Sequence, residues 1–198
     1  KGAVVSVLFL GEGISARFPI GEYDSPEFIE STKIRTDGCI RAMHFYGIKD
    51  FTIGKRYCTQ FDIIPMLNLV KEIEEKIDQF MPTMLLTHNP SEVNIDHRLT
   101  YEAVEIASRP TRKNIPNEIY GFEIVCSGSW KFDSTFCPNV FINIEKEWDE
   151  KKKNMEIINK RLVQYSGTSI NFISTYSYSH IIGFYTFLKE LVNSKYEQ

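Results

Sequence analysis

The hydrophobic pattern changes period several times along the chain, and those changes define its elements. Residues 3–10, "AVVSVLFL", form a continuous apolar, β-branched run, which reads as a strand covered on both faces. It ends in Gly11-Glu12-Gly13, a tight turn too poor in glycine for a dinucleotide fingerprint. Residues 27–46 carry Ile34, Ile40, Met43 and Tyr46 at roughly helical spacing, with Gly47 closing the run. Phe51-Thr52-Ile53 reads as a short strand. The sharpest periodicity lies in residues 65–81. There Met66, Leu69, Val70, Ile73, Ile77 and Phe80 recur every three or four positions between Pro65 and Pro82. "TMLLTH" (83–88) predicts a second buried strand and residues 99–108 a short helix. Residues 118–126 and 140–144 read as strands, and residues 148–165 as a charged amphipathic helix.

Strands alternating with helices predict an α/β fold, a Rossmann-like three-layer sandwich with a mostly parallel sheet. The length, 198 residues, suits a single domain over residues 1–198, with no internal repeat or low-complexity linker to divide it. Ligands of such sheets sit beyond the carboxyl ends of the strands, which directs attention to the loops after Leu10 and Leu86 and around residues 127–139.

Composition narrows the function classes. A net charge of −3 and the lack of a basic stripe exclude a nucleic-acid surface; Lys151-Lys152-Lys153 is balanced by Glu145, Glu147, Asp149 and Glu150. No apolar run reaches the length of about 18 residues that a membrane span needs. Cys39, Cys58, Cys126 and Cys137 are scattered without a Cys-x-x-Cys pair, as expected of reduced thiols in a cytoplasmic protein. There is no Walker loop and no Gly-x-Ser-x-Gly elbow.

The chemistry concentrates in residues 87–100, "THNPSEVNIDHRLT". An aspartate beside a histidine can orient a metal-bound or acid/base imidazole, and it can equally cap the next helix. His88 ends the buried strand and His97 lies nine residues on, so a polar site at the sheet edge, with or without a metal, is the reading the residues support. His44, on a helix, and His180, in an aromatic tail, read as structural.

Residues 5–165 resemble the PIG-L/LmbE-like family of zinc-dependent N-deacetylases. The resemblance is carried by "VSVLFLGEGISAR", by "RTDGCIRAMHFYG", by "MPTMLLTHNPSEVNIDHRLTYEAVEIASRP", and by "IYGFEIVCSGSW" and "FCPNVFINI", in the family's order. It implies hydrolysis of the N-acetyl group of an N-acetylated amino sugar by a zinc-activated water, with Zn2+ or another divalent metal as cofactor and a GlcNAc-type glycoconjugate as substrate. Carried over, His97 is a metal ligand, Asp96 tunes it, and Asn94 stands where a side chain contacts the oxyanion or substrate. Arg35, Arg98 and Arg109 are candidates for substrate contact or for loop anchoring.

Three departures accompany the resemblance. The family's His-Pro-Asp-Asp-Glu motif, source of two metal ligands and the general base, is absent from this chain. Lys1-Gly2 has the look of a helix end, as though a first strand and helix preceded it, and the chain alone is expected to be inactive. A sheet without that strand would leave an apolar edge and favour self-association. The tail, "SYSHIIGFYTFLKE" (177–190), keeps little of the family's closing segment. Gly128 and Ser129 replace a Thr-Glu pair before Trp130, and Glu92 stands in for a frequent Asp. The alternatives are a non-catalytic sugar-binding or interaction protein on the same fold and, more remotely, a nucleotide-sugar enzyme.

Overall fold

A computed structural model describes residues 3–124 and 131–154. The predicted strand at 118–126, the helix at 148–165 and the aromatic tail with His180 fall partly or wholly outside that range, as do Cys126 and Trp130. The chain forms two compact units. One comprises residues 1–7, 20–51 and 138–198; the other comprises residues 8–19 and 52–137.

The first unit is built on α1 (Pro26–Phe45). Ser25 starts it, its side chain accepting from the Phe28 N–H at 3.2 Å, and Pro26 supplies a fixed φ in the first turn. The helix stops where Gly47 takes φ +70°, and the Ile48 N–H closes back on the Met43 carbonyl at 2.9 Å. Ile34, Cys39, Ala42 and Met43 are buried on one face. Residues 140–144, expected as a strand, are irregular here. Phe141 is 81% exposed, and among the described residues no strand pairs with the segment. β-branched and aromatic residues favour a strand only where a neighbouring strand and a packed face receive them. Residues 148–154 are helical, as expected, and Lys152 pairs with Asp149 at 2.7 Å on an exposed face.

The second unit holds α2 (Met66–Phe80), β3 (Met84–Thr87), α3 (Ile95–Ala107) and β4 (Glu118–Gly121), with short 3-10 turns at residues 15–17 and 61–63. Strands β1 (Ser6–Gly11) and β2 (Asp50–Arg56) enter it with their C-terminal parts. β3 and β4 are parallel, with Met84 opposite Glu118 and Thr87 opposite Gly121. β1 and β2 pair in a second two-stranded sheet. The Glu12 N–H donates to the Arg56 carbonyl at 3.0 Å while Gly54 lies against Leu10, so these strands also run the same way. The parallel α/β arrangement expected from the periodicity is therefore present.

Gly54 marks how closely that pair packs. A methyl group at this position would stand 2.6 Å from the Leu10 carbonyl carbon and 2.8 Å from the Phe9 carbonyl oxygen. Only hydrogen fits.

The core of this unit is the contact between α2 and α3. Leu69, Val70, Ile73 and Ile77 of α2 meet Ala103, Val104 and Ala107 of α3, with Leu10 and Phe61 completing the cluster and Leu85 of β3 packed against it. The alanines let the two helices approach closely. α2 ends at Met81, which takes a left-handed φ of 51° before Pro82. A network fastens its outer side: Glu74 meets Lys71 and Arg112, each at 2.8 Å, and Arg112 also reaches Asp78 at 2.8 Å.

α3 begins four residues earlier than the hydrophobic pattern predicts. Its start is set by Asn94, whose side chain accepts from the Asp96 N–H at 2.9 Å. Asp96 then occupies the first turn, where a carboxylate is favoured by the helix dipole. The Asp-His pair is thus helical rather than part of a loop.

Candidate functional site

Three buried carboxylates lie at the carboxyl ends of the strands in the second unit, each on a different backbone environment. Glu12 follows β1 and is 7% exposed. Its side chain folds back on the turn it opens, accepting from the N–H groups of Ile14 (2.6 Å), Ser15 (3.0 Å) and Cys58 (3.2 Å). The Ser15 hydroxyl accepts from the Cys58 N–H at 2.7 Å and lies 3.3 Å from the Cys58 sulfur. The Cys58 sulfur also accepts from the Ala16 N–H at 3.1 Å. Burial pushes the Cys58 thiol pKa up, against the hydrogen bonds from Ser15 and Ala16. The turn "GEG" is a carboxylate-centred knot that joins β1 to the segment after β2.

Asp96 is 6% exposed and faces the same segment. Its carboxylate accepts from the Thr59 N–H and, at 3.0 Å, from the Phe61 N–H. Thr59 sits at φ +60°, a backbone conformation these bonds help to hold. Burial raises the Asp96 pKa, opposed by those two N–H groups and by the nearby His97. The structure therefore gives the side chain expected to tune His97 two backbone partners in the 59–61 turn.

Glu92 meets His97 at a ring nitrogen. Its side chain is fully buried, and its Oε2 lies 3.3 Å from the Nδ1 of His97, itself 14% exposed. The other oxygen, Oε1, accepts from the Ile124 N–H at 3.0 Å and from the Asn89 amide at 3.2 Å. Asn89 is in turn tied to the Phe122 carbonyl (3.0 Å) and to the Ser91 N–H (2.8 Å). His88, at the end of β3, lies flat against the His97 ring, with centroids 4.0 Å apart and planes within 2°. Phe122, just past β4, packs on His88 at 5.1 Å. The site thus rests on the parallel β3–β4 pair below and the first turn of α3 above.

The remaining candidates are distributed. Asn94 caps α3. The Arg98 Nη1 donates to the carbonyls of Glu92 (2.7 Å) and Val93 (2.6 Å), stapling the loop that carries Glu92. Arg98 also lines an open groove with Val93, Lys131, Phe132 and Asp133. Arg109 lies beyond the other end of α3, about 18 Å of helix away from His97, and approaches Glu74 at 3.9 Å. Arg35 belongs to the middle of α1 in the first unit, where it is 8% exposed and its charge acts on the Cys39 thiol. The geometry therefore brings Asn94, Asp96, His97 and Arg98 into one turn of helix and leaves Arg109 beyond the other end of α3, while Arg35 belongs to the first unit.

Sequence reasoning missed Glu92, Asn89 and Glu12 as site-building residues. A signal was present in Asn-Pro-Ser-Glu, a carboxylate held in a loop just after a buried strand, five residues before a histidine. Once α3 is started at Ile95 rather than Leu99, that spacing brings the two side chains together.

As to a metal, among the described residues no group of three His, Cys, Asp or Glu side chains converges to hold one. A catalytic zinc takes about three protein ligands, so the described residues alone do not fit one. Among the same residues, no helix is long and apolar enough to cross a membrane, and Cys39, Cys58 and Cys137 are free thiols.

No protein-family model matches the sequence, and no curated protein matches it. The fold is similar to that of the N,N'-diacetylchitobiose deacetylase from Pyrococcus horikoshii, solved with its inhibitor MPG. The TM-score is 0.53 at 16% sequence identity, over 80% of this chain and 61% of that one. The chain thus spans less than two thirds of that protein's length. At this identity the likeness concerns the fold.

Proposed function

We propose that the chain serves in the hydrolysis of the N-acetyl group of an N-acetylated amino sugar, with His97 as one ligand of a divalent metal. The observation that carries this reading is His97 itself. Its imidazole sits at the carboxyl end of the parallel strands, on a fold similar to a deacetylase of N,N'-diacetylchitobiose, with a buried carboxylate on its Nδ1. A carboxylate on the far side of an imidazole is the usual support of a metal-ligating histidine. The metal would supply polarisation of the amide carbonyl and a nucleophilic water. The described residues supply the binding corner and its rigidity, and the reading requires two further metal donors and a general base from outside them.

The test is zinc content after metal loading, with acetate release from N-acetylglucosamine and N,N'-diacetylchitobiose, on the gene product as the cell makes it. Stoichiometric zinc that is lost in His97→Ala, together with acetate release, is the expected result. Saccharide binding with neither zinc nor hydrolysis would instead identify a non-catalytic sugar-binding protein. That reading is favoured by one observation, the lack of a three-donor cluster among the described residues.

A further inference from the structure

The adjacent aspartate is the obvious partner for His97 in the sequence, yet the structure assigns that role to Glu92: we infer that Glu92 is the positioning residue that fixes the His97 ring and keeps its Nε2 as the ligand atom. The inference rests on the proposed function for what the Nε2 binds, and on geometry alone for how the ring is held.

Two contacts, one of them anchored from behind, define the ring's orientation. The Glu92 Oε2 faces Nδ1 at 3.3 Å. A carboxylate oxygen can only accept, so this contact places the ring proton on Nδ1 and leaves the lone pair on Nε2. The carboxylate cannot swing away without cost, because Oε1 is held by the Ile124 N–H and the Asn89 amide, and the Glu92 side chain is fully buried. His88 then covers one face of the His97 ring at 4.0 Å, which opposes rotation about the Cβ–Cγ bond.

Asp96 is excluded from this role by its own bonds. Its two oxygens serve the N–H groups of Thr59 and Phe61, one each. The helix start also favours Glu92. The Asn94 cap begins α3 at Ile95, which puts His97 in the first turn, facing back over the loop from which Glu92 rises.

Glu92→Gln is the informative variant. Glutamine keeps the volume and one oxygen for the Ile124 and Asn89 donors, and turns an NH2 toward Nδ1. The His97 proton must then move to Nε2, where it competes with a metal.

The experiment is long-range 1H–15N NMR of the 15N-labelled 198-residue chain, recorded as the pH is raised until the ring spectra no longer change. His97 is assigned by the signal lost in His97→Asn. The expected result is an Nδ1–H ring in the native chain, an Nε2–H ring in Glu92→Gln, and no change in Asp96→Asn. An Nε2–H ring in the native chain, or one pattern unchanged by Glu92→Gln, overturns the inference. If Glu92→Gln does not fold, the native tautomer and the Asp96→Asn spectrum still decide it.

Metal binding separates this inference from the function on which it rests. Titration with zinc or cobalt(II) of the gene product is expected to show a 10–100-fold weaker affinity in Glu92→Gln. A tautomer that switches as expected in a protein that binds no metal removes the proposed function and leaves the positioning role in place. Metal held by His97 with the same affinity and tautomer in both proteins removes the role of Glu92 and leaves the function.

Discussion

Asp96 and Glu92 are both buried carboxylates within five residues of His97, and their surroundings give them opposite work. Asp96 gives both its oxygens to backbone N–H groups of the 59–61 turn, as Glu12 does for the turn after β1. Glu92 commits one oxygen to the backbone and an amide and leaves the other on an imidazole. A carboxylate whose two oxygens are both taken by peptide N–H groups is a fold device, since what it holds in place is a backbone turn. One that divides itself between the frame and a titratable ring transmits the rigidity of the frame to that ring. Neighbourhood in sequence does not distinguish the two; the start of the helix does.

The comparison can be broken or sharpened by substitution. The largest effect is expected at Glu12, which satisfies the buried N–H groups of Ile14 and Ser15; the Cys58 N–H that it also meets keeps the Ser15 hydroxyl as an acceptor. Glu12→Ala should lower the unfolding free energy by roughly 4 kcal/mol, because donors left unmade in the interior each cost on the order of 1–3 kcal/mol. Urea titration measures it, and a loss under about 1 kcal/mol would show that the turn closes without the carboxylate.

Asp96→Asn keeps one acceptor and loses the other, so a loss of about 2 kcal/mol is expected. The expected signature is a lower melting temperature with the metal affinity of the gene product unchanged. If metal affinity falls while stability holds, the roles given to Asp96 and Glu92 are reversed.

The smallest effect belongs to a carboxylate far from His97. Glu74 is held below the ordinary carboxylate range, by the Lys71 ammonium first and by Arg112 as well. Folding therefore favours its ionised form. Its contribution is fully present above the unfolded-state pKa and is lost as the pH falls through the lower folded value. Glu74→Gln should flatten the stability–pH curve across that acid window and leave the neutral-pH shape of the curve intact. An unchanged acid limb would show that Lys71 and Arg112 contribute nothing through Glu74.

How much of this was legible in the sequence follows from how local each cause is. The α2 boundaries, Met66–Phe80, came through because the apolar spacing and the flanking Pro65 and Pro82 are all written within one segment. β1, β3 and the limits of α1 came through for the same reason. The start of α3 was missed because Ile95-Asp96-His97-Arg98 is polar and carries no apolar stripe; the cap on Asn94 decides it. The strand expected at 140–144 is irregular because a strand needs a pairing partner, which lies outside the segment's own residues. At the site, His97 was visible as a residue type beside an aspartate. Its actual partner was not, because Glu92 reaches it only after β3, β4 and α3 have brought Asn89, Ile124 and the ring into register.

Gly54 has a consequence that belongs to genetics rather than to chemistry. Every missense change of a glycine codon adds at least a β-carbon, and at this position even the smallest side chain would stand within 2.6 Å of the β1 backbone. No silent half-step leads from Gly54 to another residue. Drift elsewhere on the surface can accumulate one codon at a time, while here the first amino-acid replacement already forces β1 and β2 apart.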